Sequence, residues 1–269
     1  MRVSIVVAVV LLSCHSTAEA STILCTVVAD AASGRVLKQD GQCTERITAA
    51  STFKIALSLM GYDAGYLTDE HLPSLPFKEG YPDWDPSWKA ATDPTSWIKN
   101  SVVWYSQRLT EWLGEARFQH YVTVFHYGNQ DLSGDPGQHN GLTHAWLSSS
   151  LKISAVEEVG FLEKLVNHQL PVSARAYDMT ARITTISEPN TGWDVHGKTG
   201  TGAPRKTDGS EDDAHAYGWF VGWATKAGRT LVFARLIQDG PADAKQELRT
   251  GLRTRAAFLQ ELPTLLGSL

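Results

Sequence analysis

Apolar and polar positions predict strands at both ends of the chain and helices between them. Residues 23–29 form one strand-like run, and strands are also predicted at residues 193–195, 216–224 and 230–237. Residues 226–229 would make the hairpin turn between the last two strands. This order predicts an α+β fold, with an antiparallel sheet that is built from both chain ends and flanked by helices.

The helical patterns begin with residues 51–60, an apolar stretch behind a capping-type serine, which predicts a buried helix. Asp93 followed by Pro94 predicts an N-cap with proline at the first helical position. We expect this second helix to contain Ser101 and to end at Gly114.

Two later segments complete the helical part. Ser154 with Glu157 three residues later is a capping box, and its helix should end before Pro171. A C-terminal helix is predicted from about residue 243 to about residue 266. The helices in the middle of the chain are therefore expected to form an inserted helical subdomain.

The chain of 269 residues begins with the pattern of a signal peptide. Arg2 precedes an apolar run at residues 3–12, and the small-residue motif Ala18-Glu19-Ala20 predicts cleavage before Ser21. The run is too short to cross a bilayer. The alternative is lipoprotein processing at Cys14. The predicted division is a signal peptide at residues 1–20 and a catalytic domain at residues 21–269, with a mixed subdomain at about 21–60 and 190–269 and a helical subdomain at about 61–189.

The charge balance excludes several classes of partner. The chain has 24 Lys and Arg against 29 Asp and Glu, a net charge of -5, without a cluster of five basic residues. Nucleic acids and anionic membranes are therefore not expected partners. The nine histidines form no His-Glu-x-x-His motif, so no metal is expected. His139 and His144 are predicted to be ordinary surface residues.

Removal of a signal peptide would leave Cys25 and Cys43 as the only cysteines. In an oxidising compartment these two thiols can form a disulfide, because a turn at residues 31–34 would bring Cys43 back toward the strand that contains Cys25. Two separate buried thiols are the alternative, because the sequence does not show the distance between their Cβ atoms.

A serine and a lysine three residues apart are the first chemical signal. In Ser51-x-x-Lys54 the helical spacing puts a hydroxyl and an amine on one face. The same spacing occurs at Ser96 and Ser149, but only Ser51 stands at the head of a strongly apolar helix, where backbone N–H groups favour an oxyanion. Ser51 is therefore the predicted nucleophile, and Ser96 and Ser149 are assigned capping or surface roles.

Lys198-Thr199-Gly200 on a predicted strand is the second signal. A lysine there can hold a substrate carboxylate, and a glycine lets a ligand approach the backbone. The alternative is a strand that ends in a glycine turn. Together, and in this order, the two signals match the outer signatures of penicillin-recognising serine enzymes. The Ser-Asp-Asn signature of class A does not occur in the sequence.

The complete set of motifs resembles that of the class D, or oxacillinase-type, serine β-lactamases, in the family's order and approximate spacing. The resemblance extends over nearly the whole mature chain and includes Trp146-Leu147 and residues 219–223. The motifs that carry it are Ser51-Thr52-Phe53-Lys54, Ser101-Val102-Val103, Tyr127-Gly128-Asn129 and Lys198-Thr199-Gly200.

This resemblance implies the fold shared by serine β-lactamases and penicillin-binding transpeptidases, and hydrolysis of β-lactam antibiotics that confers resistance. It implies an acyl-enzyme on Ser51 and a general base that is N-carboxylated Lys54, held by the indole N–H of Trp146. Carbon dioxide or bicarbonate would be needed to carboxylate the lysine. Burial among apolar side chains agrees with this, because it favours the neutral amine that can add carbon dioxide.

The resemblance also assigns further roles around the nucleophile. Ser101 would relay a proton to the leaving nitrogen, and the backbone N–H groups of Ser51 and Thr201 would form the oxyanion hole. Arg249 resembles a carboxylate-binding arginine of many members, although it can instead belong to a solvated helix face. The predicted substrate contacts are Val103, Lys198, Thr199, Gly200, Thr201 and Arg249.

Two other functions share this fold. One is the β-lactam sensor domain of a transmembrane receptor, which stays acylated, and the other is a penicillin-sensitive cell-wall peptidase. The Ser-Val-Val and Tyr-Gly-Asn motifs argue against the peptidase. We therefore expect a periplasmic β-lactamase, monomer or homodimer, whose partners are β-lactam antibiotics. The mature form would contact a membrane only if Cys14 is lipidated.

Overall fold

The computed structural model describes residues 20–187, 192–243 and 246–267. Within that part of the chain, the fold is α+β: strands lie toward both ends, and most of the helices lie between them. The strands are β1 (Thr22–Asp30), β2 (Val36–Gly41), β3 (Ile47–Thr48), β4 (Lys152–Ile153), β5 (Thr185–Ile186), β6 (Asp194–Gly202), β7 (Tyr217–Lys226) and β8 (Arg229–Gln238).

The helices lie mostly between the two groups of strands, as the hydrophobic pattern predicts. They are α1 (Lys54–Asp63), α2 (Pro94–Asn100), α3 (Val103–Val124), α4 (Gly141–His144), α5 (Ala155–Val166), α6 (Ala174–Ile183) and α7 (Thr250–Gly267). Short 3-10 turns occupy Ala50–Phe53, Pro86–Lys89, Asp213–His215 and Pro241–Asp243.

Six strands form one antiparallel sheet in the order β2-β1-β8-β7-β6-β5, so the sheet joins both ends of the chain as predicted. Strands β7 and β8 are joined by a two-residue hairpin, in which Ala227 and Gly228 have φ angles of 49° and 79°. Positive φ at both positions matches the twist of the strands.

The predicted subdomain boundaries near residues 60 and 190 stay a prediction.

Apolar side chains cover both faces of the sheet. On one face α7 packs Phe258 against Phe233, with ring centroids 4.4 Å apart. The other face belongs to the larger core, which includes α1, α3 and α5. Strand β5 pairs with β6 at Val195 and His196. From residue 198 onward, that edge of β6 is open to the helical part.

The predicted extent of the second helix is wrong. The second helix begins as predicted, with Asp93 capping and Pro94 at its first turn, but it ends at Asn100. Ser101 follows as the C-cap with φ 59°, so it lies at a junction and not inside a helix. Helix α3 then continues past Gly114, whose φ of 72° and ψ of 161° interrupt the helix without ending it.

The other local predictions have mixed outcomes. The capping box of Ser154 and Glu157 is confirmed at the start of α5. The C-terminal helix begins at Thr250, several residues later than predicted. Cys25 and Cys43 form a disulfide, which decides against two separate thiols. The predicted signal peptide and Cys14 lie outside the described residues.

Candidate active site

The turn Ala50–Phe53 presents Ser51 directly before α1. Ala50 has a φ of 50°, in the left-handed region that L-residues other than glycine, asparagine and aspartate rarely adopt. The Nζ of Lys54 donates a hydrogen bond to Ser51 Oγ over 2.9 Å. The predicted serine and lysine are therefore in direct contact.

Lys54 is fully buried. Burial lowers the pKa of its ammonium group well below the usual range, and the positive charges of Lys198 and Arg249 lower it further. In the described part of the chain, none of the ion pairs includes Lys54. Burial therefore favours the neutral amine form of this lysine.

Trp146 lies in the same apolar region. Its ring packs on Phe53, the residue before Lys54, with centroids 5.8 Å apart, and on Phe118 at 6.3 Å. The indole Nε1 is buried and has no hydrogen-bond partner among the described residues. Such unsatisfied buried donors are rare in folded proteins. An anionic acceptor on Lys54 fits this unused donor.

Ser101 is paired with Lys198 from the open edge of the sheet. Lys198 Nζ donates hydrogen bonds of 3.0 Å to Ser101 Oγ and 3.0 Å to the carbonyl oxygen of Thr199. Burial lowers the pKa of Lys198 to about 7, and the charge of Arg255 adds to the effect. Lys198 can therefore both give and take a proton near neutral pH.

Gly200 brings strand β6 against the serine turn. A Cβ atom at this position would lie 3.0 Å from the carbonyl oxygen of Ala49 and 3.2 Å from the backbone nitrogen of Thr52. Next to it, Thr201 Oγ1 accepts a hydrogen bond of 2.9 Å from the backbone N–H of Gly251 at the start of α7. The predicted residues Gly200 and Thr201 are thus held beside Ser51.

A cleft of about 530 Å³ opens over Ser51, within the size range of small-molecule sites. A larger cavity of about 630 Å³ lies beside it, but neither Ser51 nor Lys198 lines that cavity, so size alone does not mark the site. Among the predicted residues, the cleft is lined by Ser51, Ser101, Val103, Thr201 and Arg249, together with Leu147.

Arg249 faces this cleft from the segment before α7. Its Nη2 donates to the carbonyl oxygen of Trp84 over 3.1 Å and lies 3.8 Å from the carboxylate of Asp85. The guanidinium lies 5.7 Å from the ring centroid of Trp88. The structure therefore brings Arg249 to the site, which the sequence left open.

Several cleft residues were missed by the sequence analysis. His144, predicted as an ordinary surface residue, lines the cleft, and Thr143 Oγ1 lies 2.8 Å from its Nδ1. Trp84, Trp88 and Arg205 line it as well. His144 ends the short helix α4, Trp88 lies in a 3-10 turn, and Trp84 and Arg205 lie in loops; none of these short segments has a local pattern that signals a cleft.

The Tyr-Gly-Asn motif supports the site from behind. Tyr127 donates a hydrogen bond to the buried Glu158 over 2.9 Å. Asn129 Nδ2 donates to the carbonyl oxygen of Ser150, and its Oδ1 accepts from the backbone N–H of Lys152. These contacts join the loop after α3 to the segment before α5.

Comparison with known proteins identifies the family. The penicillin binding protein transpeptidase domain matches residues 24–262. The chain is 44% identical to β-lactamase OXA-9 of Klebsiella pneumoniae over 93% of this chain and 90% of that protein. It is 36% identical to β-lactamase OXA-1 of Escherichia coli over 79% and 75%. The crystal structure of the OXA-427 class D β-lactamase superposes with a TM-score of 0.85 and 51% identity, over 92% of this chain and 99% of that one.

This chain belongs to the class D β-lactamases. The resemblance and the fold predicted from the sequence are thereby confirmed. Family membership supports hydrolysis of β-lactams and resistance to them, rather than the sensor or peptidase functions.

The described residues contain no group of three or more His, Cys, Asp or Glu side chains placed to hold a metal. None of the helices in the described ranges is both long and apolar enough to span a bilayer. Among the predicted catalytic residues, the described structure pairs Ser51 with Lys54 and Ser101 with Lys198.

Proposed function

We propose that this β-lactamase opens the lactam ring through an ester on Ser51, with Lys54 in its N-carboxylated form as the general base. The observation that carries the proposal is the 2.9 Å contact between Lys54 Nζ and Ser51 Oγ. A fully buried lysine, whose pKa is lowered by that burial, stands next to the hydroxyl that has to lose its proton.

The surroundings of Lys54 favour carboxylation. A neutral amine can add carbon dioxide, and the unpartnered indole N–H of Trp146 would hold the resulting anion. Carbon dioxide bound to Lys54 supplies an anionic oxygen base in an otherwise apolar site.

The remaining steps use side chains and backbone around the cleft. Ser51 Oγ bonds to the lactam carbonyl carbon, and the backbone N–H groups of Ser51 and Thr201 stabilise the oxyanion. As the ring C–N bond breaks, the nitrogen takes the proton of Ser101. Lys198 then gives a proton to Ser101 along their 3.0 Å contact and regains one from solvent, while Lys54 releases the Ser51 proton to solvent. Water adds to the ester carbonyl carbon and passes a proton to the base on Lys54, and the C–O bond to Ser51 breaks as Ser51 Oγ takes that proton.

The substrate carboxylate would lie among the cationic and hydroxyl groups at the other side of the cleft. Lys198 supplies an ammonium and Thr199 supplies a hydroxyl, and Gly200 and Thr201 follow them on β6. Arg249 adds a guanidinium that faces the same cleft. Charge-assisted hydrogen bonds of this kind orient carboxylates well.

Replacement of Ser51 by alanine tests the nucleophile. We expect Ser51→Ala to lose penicillin hydrolysis while the protein stays folded, and intact-mass spectrometry of the wild type to find a penicilloyl group on Ser51. The matched control is Ser149→Ala, which removes a serine with the same spacing to a lysine. An adduct on Ser96 or Ser149 would contradict the assignment. One drug molecule trapped without turnover would indicate a sensor instead.

We also propose that the enzyme is exported to the periplasm after cleavage near Ser21. The support is the sequence pattern of the first twenty residues, which lie outside the described residues. Mass spectrometry of the protein from the periplasm should find a mature chain that begins near Ser21. A lipid on Cys14 would contradict a soluble location.

A further inference from the structure

Glu158 on α5 is buried directly behind the serine turn. Its Oε1 lies 2.8 Å from Thr52 Oγ1 and 2.9 Å from the phenol oxygen of Tyr127. Thr52, the residue after the nucleophile, also places its Oγ1 2.7 Å from the carbonyl oxygen of Ala49. These contacts form a chain from Tyr127 through Glu158 and Thr52 to Ala49, where the serine turn begins.

The number of protons decides which form of Glu158 suits this chain. Three short contacts need three protons, and Tyr127 and Thr52 supply one each. If Glu158 is ionised, one contact has two acceptors and no proton, which is unfavourable in a buried site. If Glu158 is protonated, Tyr127 donates to it, it donates to Thr52, and Thr52 donates to the Ala49 carbonyl.

We propose that Glu158 is a positioning residue that works as a neutral carboxylic acid and holds the turn that carries Ser51. The inference rests on the proposed role of Ser51 as nucleophile. Glu158 does not touch the reacting atoms; it acts through Thr52, whose neighbour in the chain is Ser51. If Glu158 loses its proton, the single Thr52 hydroxyl proton can serve Glu158 or the Ala49 carbonyl but not both, and the Ala49 carbonyl is left with the Thr52 backbone N–H alone.

The surroundings of Glu158 keep it protonated. Burial raises its pKa to about 7, although hydrogen bonds from Thr52 and Tyr127 act in the opposite direction. Glu157, on the same helix, has its pKa lowered by Arg46 and is therefore a negative charge that further opposes ionisation.

The elements packed around Glu158 supply little positive charge. Tyr127, from the loop after α3, has its pKa raised well above the usual range by burial and by Glu158, so it stays a neutral donor. Lys54, at the start of α1, supplies no positive charge in its proposed N-carboxylated form, and burial lowers the pKa of its free amine. Within the described residues, β1, β7 and β8 share an apolar core with α5, through side chains such as Val27, Val221 and Ala234.

Replacement of Glu158 by glutamine keeps the side-chain contacts of this residue but removes its ability to ionise. The amide nitrogen of glutamine can donate to Thr52 while its amide oxygen accepts from Tyr127, as in the protonated acid, but it cannot ionise. We therefore expect Glu158→Gln to match the wild type within about twofold in kcat/KM at pH 6. The ratio of variant to wild-type kcat/KM should rise roughly fivefold between pH 6 and pH 9, as expected for loss of one net hydrogen bond in the wild type.

Two variants complete the test. Glu163→Gln is the matched control, because it neutralises a glutamate farther along the same helix that does not bond to Thr52 or Tyr127, and its ratio should not vary with pH. Thr52→Val removes the link to the serine turn. In a Thr52→Val background, Glu158→Gln should no longer change the pH profile.

Carbon-13 NMR of protein with labelled glutamate carboxyl groups gives a readout that does not depend on activity. The signal that disappears in Glu158→Gln should report a protonated carboxyl at pH 6 and titrate near pH 7. A carboxylate already at pH 5, or a flat ratio of kcat/KM, would overturn the inference. A flat ratio together with a penicilloyl group on Ser51 would refute the inference alone. An adduct on another residue would refute the proposed function, and the positioning role with it.

Discussion

Replacement of Trp146 by phenylalanine tests whether the unused indole N–H holds a carboxylated Lys54. Phenylalanine keeps an aromatic ring against Phe53 and Phe118 but removes the donor. A buried donor without a partner costs about 1–3 kcal/mol, and an anionic acceptor on Lys54 removes that cost. Carboxylation of the wild type should therefore be favoured by this amount over the variant.

The energy translates into a shift in bicarbonate dependence. At 25 °C, about 1–3 kcal/mol corresponds to a roughly 5- to 150-fold increase in the bicarbonate concentration at half-maximal activity of Trp146→Phe. The ester on Ser51 should also accumulate in the variant, because hydrolysis of the ester needs an activated water, whereas Ser51 still attacks the strained ring slowly.

The assay titrates bicarbonate at constant pH and follows penicillin turnover together with the carbon-13 signal of labelled carbamate. The signal should be present in the wild type, absent in Lys54→Ala, and recovered in Trp146→Phe only at high bicarbonate. Trp223→Phe is the control, because it removes another buried indole, stacked on His196, outside the lining of the cleft. Equal bicarbonate dependence of turnover and signal in Trp146→Phe and the wild type would refute the reasoning.

Three other predictions follow from particular contacts. Gly200→Ala should lower kcat roughly 10- to 100-fold with an unchanged circular dichroism spectrum, because its Cβ would lie 3.0 Å from the carbonyl oxygen of Ala49 and shift the serine turn; an unchanged kcat would contradict this. Arg249→Ala should raise KM roughly tenfold for a penicillin but not for its carboxylate ester, and an equal effect on both would exclude carboxylate binding. The pKa of Glu158 is raised from 4.5 to about 7, so its contribution to the free energy of unfolding is complete below pH 4.5. This contribution is lost as pH rises to about 7, by up to ~1.4 kcal/mol per pH unit. Urea unfolding at pH 5 and pH 8 should show this loss in the wild type and not in Glu158→Gln.

The sequence by itself determined the elements whose signals are local. A proline after Asp93, a glutamate three residues after Ser154 and an apolar run after Ser51 act within one helical turn, so their helix starts could be predicted. The pairing of Ser51 with Lys54 belongs to the same class, because i and i+3 side chains share a helix face.

Tertiary structure alone decided which distant residues meet at the site. The helix that was expected to contain Ser101 ends at Asn100, one residue before it. The hydrogen-bond partner of Ser101 is Lys198, which lies 97 residues away in the sequence. Glu158 reaches Thr52 across 106 residues, and no periodicity in the sequence indicates that contact. The direction of Arg249 into the cleft likewise depends on Trp84 and Trp88 in a distant loop.

The physical reason is that proton affinity depends on burial and on distance between charges, and neither quantity is local in the sequence. Lys54, Lys198 and Glu158 are ordinary ionisable residues in an extended chain. In the fold, the first two lose much of their affinity for a proton and the third gains affinity, because the sheet edge and α5 enclose them in apolar surroundings. The sequence specified which groups are present, and the tertiary structure decided how strongly each of them holds a proton.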